Sequence, residues 1–170
     1  MNPVGSLRAQ TMLIVSLSPG IHLRKLQKLL GASFTTTRYH VDNLERDGEI
    51  VRAKDGRYDR LYPIGTSERM KRVYAVLQSK TARKILTTME EAGGAATVTY
   101  LAARVDVSRS SLSEYFALLS GADLLRRSLD VDGRAVYLVR DSEEVKLLLA
   151  AFQRNLMSIA TGNFIDLWDL

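Results

Sequence analysis

Between Gly31 and Gly48 the chain reads GASFTTTRYHVDNLERDG. Ser33, Thr35, Thr36, Arg38, Tyr39, Asn43 and Arg46 bring hydroxyls, a phenol, an amide and two guanidinium groups into one short stretch. Such groups match phosphate oxygens and the edges of bases. Arginine forks onto guanine, asparagine onto adenine, and hydroxyls at a helix N-terminus suit phosphate. Tyr39 is suited to a phosphate or a thymine methyl. An ordinary surface helix carries Glu and Lys in these places, because they favour helix and stay hydrated. A little further on, Arg52, Lys54, Arg57 and Arg60 surround Asp55 and Asp59. Cations on a projecting loop grip backbone phosphates, although a charged hairpin is also the common solvated edge. Asp42 is the misfit on an anion-seeking face. It lies four residues from both Arg38 and Arg46, which predicts its neutralisation along a helix.

These side chains act together only if a helix presents them. At about 100° per residue, Thr37, Val41 and Leu44 share one face, with His40 at its edge. Thr35, Tyr39, Asn43 and Arg46 fall opposite, flanked by Thr36 and Arg38. Ser33 is the predicted N-cap, the helix runs to about Asp47, and Gly48 ends it. Upstream, apolar spacing predicts helices over 7–17 and 22–30, separated by Ser18-Pro19-Gly20 and closed by Gly31. Downstream, 49–53 and 58–63 read as two strands around Asp55-Gly56, a tight-hairpin signal. Helix, tight turn and helix make a helix-turn-helix, whose second helix fits the major groove.

The same order returns 75 residues later. Leu26 falls on Leu101, Ser33 on Ser108, Val41 on Phe116, Leu44 on Leu119 and Ile50 on Leu125. A helix over 81–92 and strands over 125–129 and 135–139 complete the second copy, and the shared offset reads as an internal duplication. The second copy is the poorer reader of DNA. Its third helix turns Ser110, Ser111, Ser113, Glu114 and Ala117 outward, with Arg109 as the one cation. Arg126, Arg127 and Arg134 remain available for an auxiliary backbone contact, and a scaffold role is favoured over sequence reading.

The expected fold class is therefore mainly α with short β-hairpins (α+β). It comprises two tandem winged helix-turn-helix domains, at 1–65 and 81–141, joined by a basic linker helix at 66–80. A final helix and tail, 142–170, follow. Asp141 and Glu144 have capping-box spacing. Leu148, Leu149, Phe152, Leu156 and Ile159, with Phe164 and Trp168 near the end, form an apolar surface beyond two domains that already have cores. Such a surface either packs on its own domain or serves a two-fold partner, and the second is expected, hence a homodimer.

Composition narrows the chemistry. The chain has 170 residues, 46% hydrophobic and 25% charged, with no Cys and only two His. Disulfides, thiolate metal sites and cysteine redox switching are excluded, and neither a metal site nor a cofactor is expected. The net charge of +5 is unevenly placed. Residues 1–65 hold ten Lys and Arg against six Asp and Glu, and residues 66–80 hold four against one. Residues 81–170 hold ten against twelve, so the basic half faces a polyanion partner, double-stranded DNA. The apolar patch near the start is too short to span a bilayer, and a cytoplasmic, nucleoid-associated protein is expected. There is no nucleophile elbow, phosphate-binding glycine loop or paired carboxylates beside a histidine, so no enzyme is expected.

The stretch PGIHLRKLQKLLGASFTTTRYHVDNLERDGEI resembles the first winged helix of archaeal-type tandem winged-helix transcription regulators, relatives of the arsenic-repressor-like superfamily. The matching residues are Pro19 to His22, Leu26 to Leu30, Arg38 to Val41, Leu44, Glu45 and Gly48. The final Asn163 to Trp168 also looks like the tail of such proteins. The resemblance is strong over 19–52 and looser elsewhere. It implies a DNA-binding regulator acting as a dimer. Thr37 stands where those proteins commonly have an aliphatic residue, and the metal-sensing cysteines of some relatives are absent. The rival expectation is a winged-helix subunit of a transcription or nucleoprotein assembly that binds protein rather than a specific DNA site.

Overall fold

A computed structural model of the protein describes residues 5–161. Phe164 and Trp168, expected at a dimer interface, lie outside the described residues, as does the rest of the tail from Asn163. The fold is mixed α/β, with eight helices and small antiparallel sheets among the described residues. No described helix is long and apolar enough to cross a membrane. By internal contacts the chain divides into two compact units. Among the described residues, one comprises 5–67 together with 152–161, and the other is Glu68–Ala151.

The first unit runs α1 (Leu7–Leu17), β1 (Ile21–His22), α2 (Leu23–Leu30), α3 (Phe34–Arg46), β2 (Ile50–Asp55) and β3 (Tyr58–Pro63). Local chemistry sets the ends. Ser6 Oγ accepts from the Ala9 N–H to cap α1, and Gly31 closes α2 in the left-handed region at φ 63°. The strand order is β1-β3-β2, all antiparallel, with Leu61 opposite both Ile21 and Arg52. Ile14, Val15, Ile21, Leu26, Val41, Leu44, Ile50 and Leu61 form the buried core against which the helices and sheet pack. Three helices, a three-stranded sheet and a projecting β2–β3 hairpin are consistent with a winged helix. Thr37, the one polar member of the inner stripe of α3, is fully buried; its hydroxyl donates to the Ser33 carbonyl at 2.9 Å.

The hairpin departs from its expected turn. Asp55 pairs with Tyr58, so the two loop residues are Gly56 and Arg57 rather than Asp55 and Gly56. Gly56 has φ +59°, and Arg57 is not left-handed. The loop thus has glycine in its first central position, not the type I′ pair of left-handed residues.

The second unit contains α4 (Glu68–Leu77), α5 (Lys80–Glu91), β4 (Ala95–Thr97), α6 (Val98–Ala102), α7 (Arg109–Gly121), β5 (Leu125–Leu129) and β6 (Ala135–Val139). Its sheet order is β4-β6-β5, again antiparallel. Leu101, Leu112, Phe116, Leu119 and Leu125 are buried, and Phe116 stacks on Tyr137 at 3.9 Å between ring centroids. The cations of α4 are engaged within this unit. Arg69 forks onto Glu144 with two bonds of 2.7 Å, Lys71 meets Glu68 at 2.6 Å, and Arg72 donates to the Gly121 carbonyl.

The last helix, α8 (Ser142–Thr161), is shared between the two units. Asp141 Oδ1 accepts from the Glu144 N–H at 2.9 Å. The Glu144 side chain does not return to close a capping box; it is held by Arg69, which also lowers its pKa. On the apolar stripe Val145 is 1% and Phe152 5% exposed, while Leu148, Leu149, Leu156 and Ile159 are half-buried. Within the first unit, Asn155 on α8 donates to the Leu17 carbonyl at 3.0 Å.

Candidate nucleic-acid interface

The α3 N-terminus is set by its own hydroxyls. Ser33 Oγ accepts from the Thr36 N–H at 3.0 Å and lies 2.8 Å from Thr36 Oγ1. Both groups are therefore occupied by the cap, and Thr35 is the hydroxyl left outward. Ser33→Ala is expected to lower stability by about 1 kcal/mol, the usual cost of an N-cap oxygen. Thermal melting checks this, with the loss of α3 helicity followed by circular dichroism.

Beyond the cap, the outer face of α3 is open. Arg38 and Tyr39 are each 62% exposed, and the Tyr39 ring meets the His40 ring edge-on at 5.3 Å. Arg46 donates to Asn43 Oδ1 at 2.7 Å, which fixes both side chains on the same turn. The helical spacing anticipated Asp42 pairing with Arg38 and Arg46, and the first contact is present at 3.7 Å. The stronger partner comes from the sheet. Arg52 on β2 reaches Asp42 at 2.6 Å, Glu45 at 3.0 Å and Asp59 at 3.7 Å. Burial pulls the Arg52 guanidinium pKa down, but its hydrogen bond to Asp42 and the surrounding carboxylates outweigh this and leave it raised. Asp59 in turn is held below the usual carboxylate range, chiefly by its hydrogen bond from Lys54.

The four hairpin cations thus divide. Lys54 and Arg57 project, Lys54 being 79% exposed while bonded to Asp59 at 2.8 Å. Arg52 and Arg60 do not project. Their side chains are 20% and 13% exposed, and Arg60 is tied to Asp55 at 2.5 Å and to the Gly20 carbonyl at 2.8 Å. They hold the hairpin to α3 and to the turn before β1, because a guanidinium satisfies several oxygens at once.

In the second unit, Ser108 caps α7 through the Ser111 N–H, and the Ser110 and Ser111 hydroxyls cluster on it. Arg109, Arg126 and Arg127 are exposed, and Arg134 is 76% exposed with Asp132 at 3.7 Å. Leu129 and Val131 at the β5–β6 hairpin are also exposed, at 59% and 103%.

Sequence reasoning missed the outward charge of α2. Arg24, Lys25 and Lys28 are all exposed, and α2 has no acid in its first turn. The signal was available: cations in the first turn of a helix oppose its dipole, so their presence calls for another reason.

No family model matches the chain, and no curated protein matches it. Among solved structures it is similar to Streptococcus pneumoniae FabT in complex with DNA, at 16% identity over 70% of this chain and 78% of that one, with a TM-score of 0.34. It is similar to the transcriptional regulator SlyA at 20% identity, covering 83% and 78%, with a TM-score of 0.32. The mRNA-binding domain of elongation factor SelB from E. coli, in complex with SECIS RNA, gives 17% identity, 83% and 100% coverage and a TM-score of 0.32. Likeness at this level carries no weight for function, which rests on the chain's own residues.

Proposed function

We propose that this protein is a DNA-binding transcription regulator that reads duplex DNA with α3 and grips its backbone with the β2–β3 hairpin. One observation carries the reading. The face of α3 opposite the core holds Thr35, Arg38, Tyr39, Asn43 and Arg46, and the adjacent hairpin projects Lys54 and Arg57. Arg38 and Asn43 supply base readout, Thr35 and the hairpin cations supply phosphate contacts, and Arg52 and Arg60 position the hairpin. The cap hydroxyls of Ser33 and Thr36 order the end of α3.

The finer organisation belongs to the same proposal. The chain is a tandem of two winged helices, supported by the common strand order of the two sheets and by Ser33 and Ser108 serving as equivalent caps. Arg109, Arg126, Arg127 and Arg134 give the second unit an auxiliary grip. The protein acts as a homodimer in the cytoplasm and catalyses no reaction; Leu147 and Met157 on α8, 70% and 58% exposed, support the dimer. A second reading, a protein-binding subunit, is favoured by the exposed Leu129 and Val131 and by the slight acidic excess of residues 81–170.

Selection of bound duplexes from a random pool tests the first reading, and recovery of a common sequence is expected. Arg38→Ala is then expected to weaken the selected site by about tenfold, roughly 1.4 kcal/mol, and random duplex less. Equal losses on both would make Arg38 a phosphate contact only. Failure to enrich any sequence would favour the protein-binding subunit.

A further inference from the structure

Apart from the α3 face, the first unit has a concave site of about 540 Å³ lined by His22, Arg24, Lys25, Lys28, Phe34 and Tyr58, with Gln27 beside them. That volume lies within the roughly 300–1,000 Å³ of small-ligand pockets. Its walls combine two kinds of group. Phe34 and Tyr58 keep 43% and 55% of their surface exposed, and the His22 ring tilts against Tyr58 at 5.1 Å and 57°. Burial, and then the charge of Arg60, hold the His22 pKa below its ordinary value, so at neutral pH the imidazole adds a ring and no charge. The charge comes from α2. Arg24 and Lys28 stand four residues apart and repel each other along the helix, and no carboxylate pairs with either among the described residues. Asp55, whose field reaches His22, is already held by Arg60. Lys28 in the last turn of α2 suits the helix dipole, but Arg24 in the first turn opposes it, whereas an anion in the pocket would be met by both.

The geometry points to a pocket for one nucleotide unit, its base stacked on Tyr58 and Phe34 and its phosphate held by Arg24 and Lys28. Exposed aromatics interleaved with cations are the chemistry of unpaired nucleotides, because every base has a face to stack. A base inside a duplex offers only its edges. A free mononucleotide and an unpaired nucleotide in a strand present the same groups.

Calorimetric titration of the full chain with AMP, adenosine and inorganic phosphate tests the pocket. AMP is expected to bind at least about tenfold more tightly than either fragment, and Tyr58→Ala and Arg24→Ala are each expected to weaken it by about tenfold. Both side chains are exposed, so an unchanged thermal melt verifies that the variants keep their fold. A single-stranded tetranucleotide identifies the source. Binding about tenfold tighter than AMP assigns the pocket to a strand, and equal binding assigns it to the mononucleotide; either sustains it. No binding of millimolar AMP, phosphate binding as tightly as AMP, or unchanged binding in both variants overturns it. Duplex binding is titrated separately. Nucleotide binding without duplex binding keeps the pocket and removes the α3 reading, and the converse removes the pocket alone.

Discussion

Phe152→Ala is expected to lower folding stability by about 3–5 kcal/mol, the cost of emptying a buried aromatic position. Phe152 is 5% exposed within a single chain. The apolar stripe of α8 suggested instead that this ring faces a second subunit. The surface open to a partner is different: Leu147 and Met157 are 70% and 58% exposed. Leu147→Glu is therefore expected to change stability by less than about 0.5 kcal/mol, while converting a dimer paired through α8 into monomers. Urea unfolding and sedimentation separate the two effects. For Phe152→Ala the midpoint should fall with the slope unchanged, as for a loss of stability within a two-state transition. A dimer turned monomer at an unchanged midpoint would return Phe152 to the subunit interface.

Arg52→Ala is expected to weaken duplex binding by about a hundredfold, more than the loss of any outward cation, although Arg52 itself faces inward. Its removal leaves Asp42, Glu45 and Asp59 without the guanidinium that lies 2.6, 3.0 and 3.7 Å from them. Carboxylates set against phosphates cost several kcal/mol, and the hairpin loses its tie to α3. Stability should fall by about 2 kcal/mol, in the range of hydrogen bonds to charged groups. The opposite change discriminates. Asp42→Asn removes one of the acids and is expected to strengthen binding to random duplex. Filter binding at several salt concentrations reads both. If Arg52→Ala loses stability but no affinity, the clamp is structural and the hairpin takes no part in DNA binding.

Helix-by-helix legibility was high where the signals are local. The apolar period of 7–17 matches α1, and Ser33 caps α3 as its residue type and position suggest. The strands over 125–129 and 135–139 are also found where the 75-residue repeat places them. What escaped is what needs a partner. β1 has two residues and β4 three, too few for any period, and they exist only because β3 and β6 offer an edge. The charge pattern failed for the same reason. Counting along a helix finds Arg38 beside Asp42, but Arg52 arrives from a strand ten residues away. Four hairpin cations counted as outward became two once their carboxylate partners were in place. Spacing alone cannot distinguish a guanidinium that projects from one that bridges two elements.

The sharing of α8 has a consequence for how the chain is made. The second unit is one uninterrupted stretch, Glu68–Ala151, whereas the first recruits the described end of α8, residues 152–161. The Leu17 carbonyl must wait for Asn155, 138 residues later in synthesis. At about 5–20 residues per second the interval is roughly 7–28 s. For most of it both units are incomplete; only after Ala151, four residues before Asn155, does the later-translated unit have all of its chain, while the earlier-translated one still lacks its last helical segment. The order of completion therefore runs against the direction of translation: the second unit has its whole chain first, and the unit that begins the sequence is finished last.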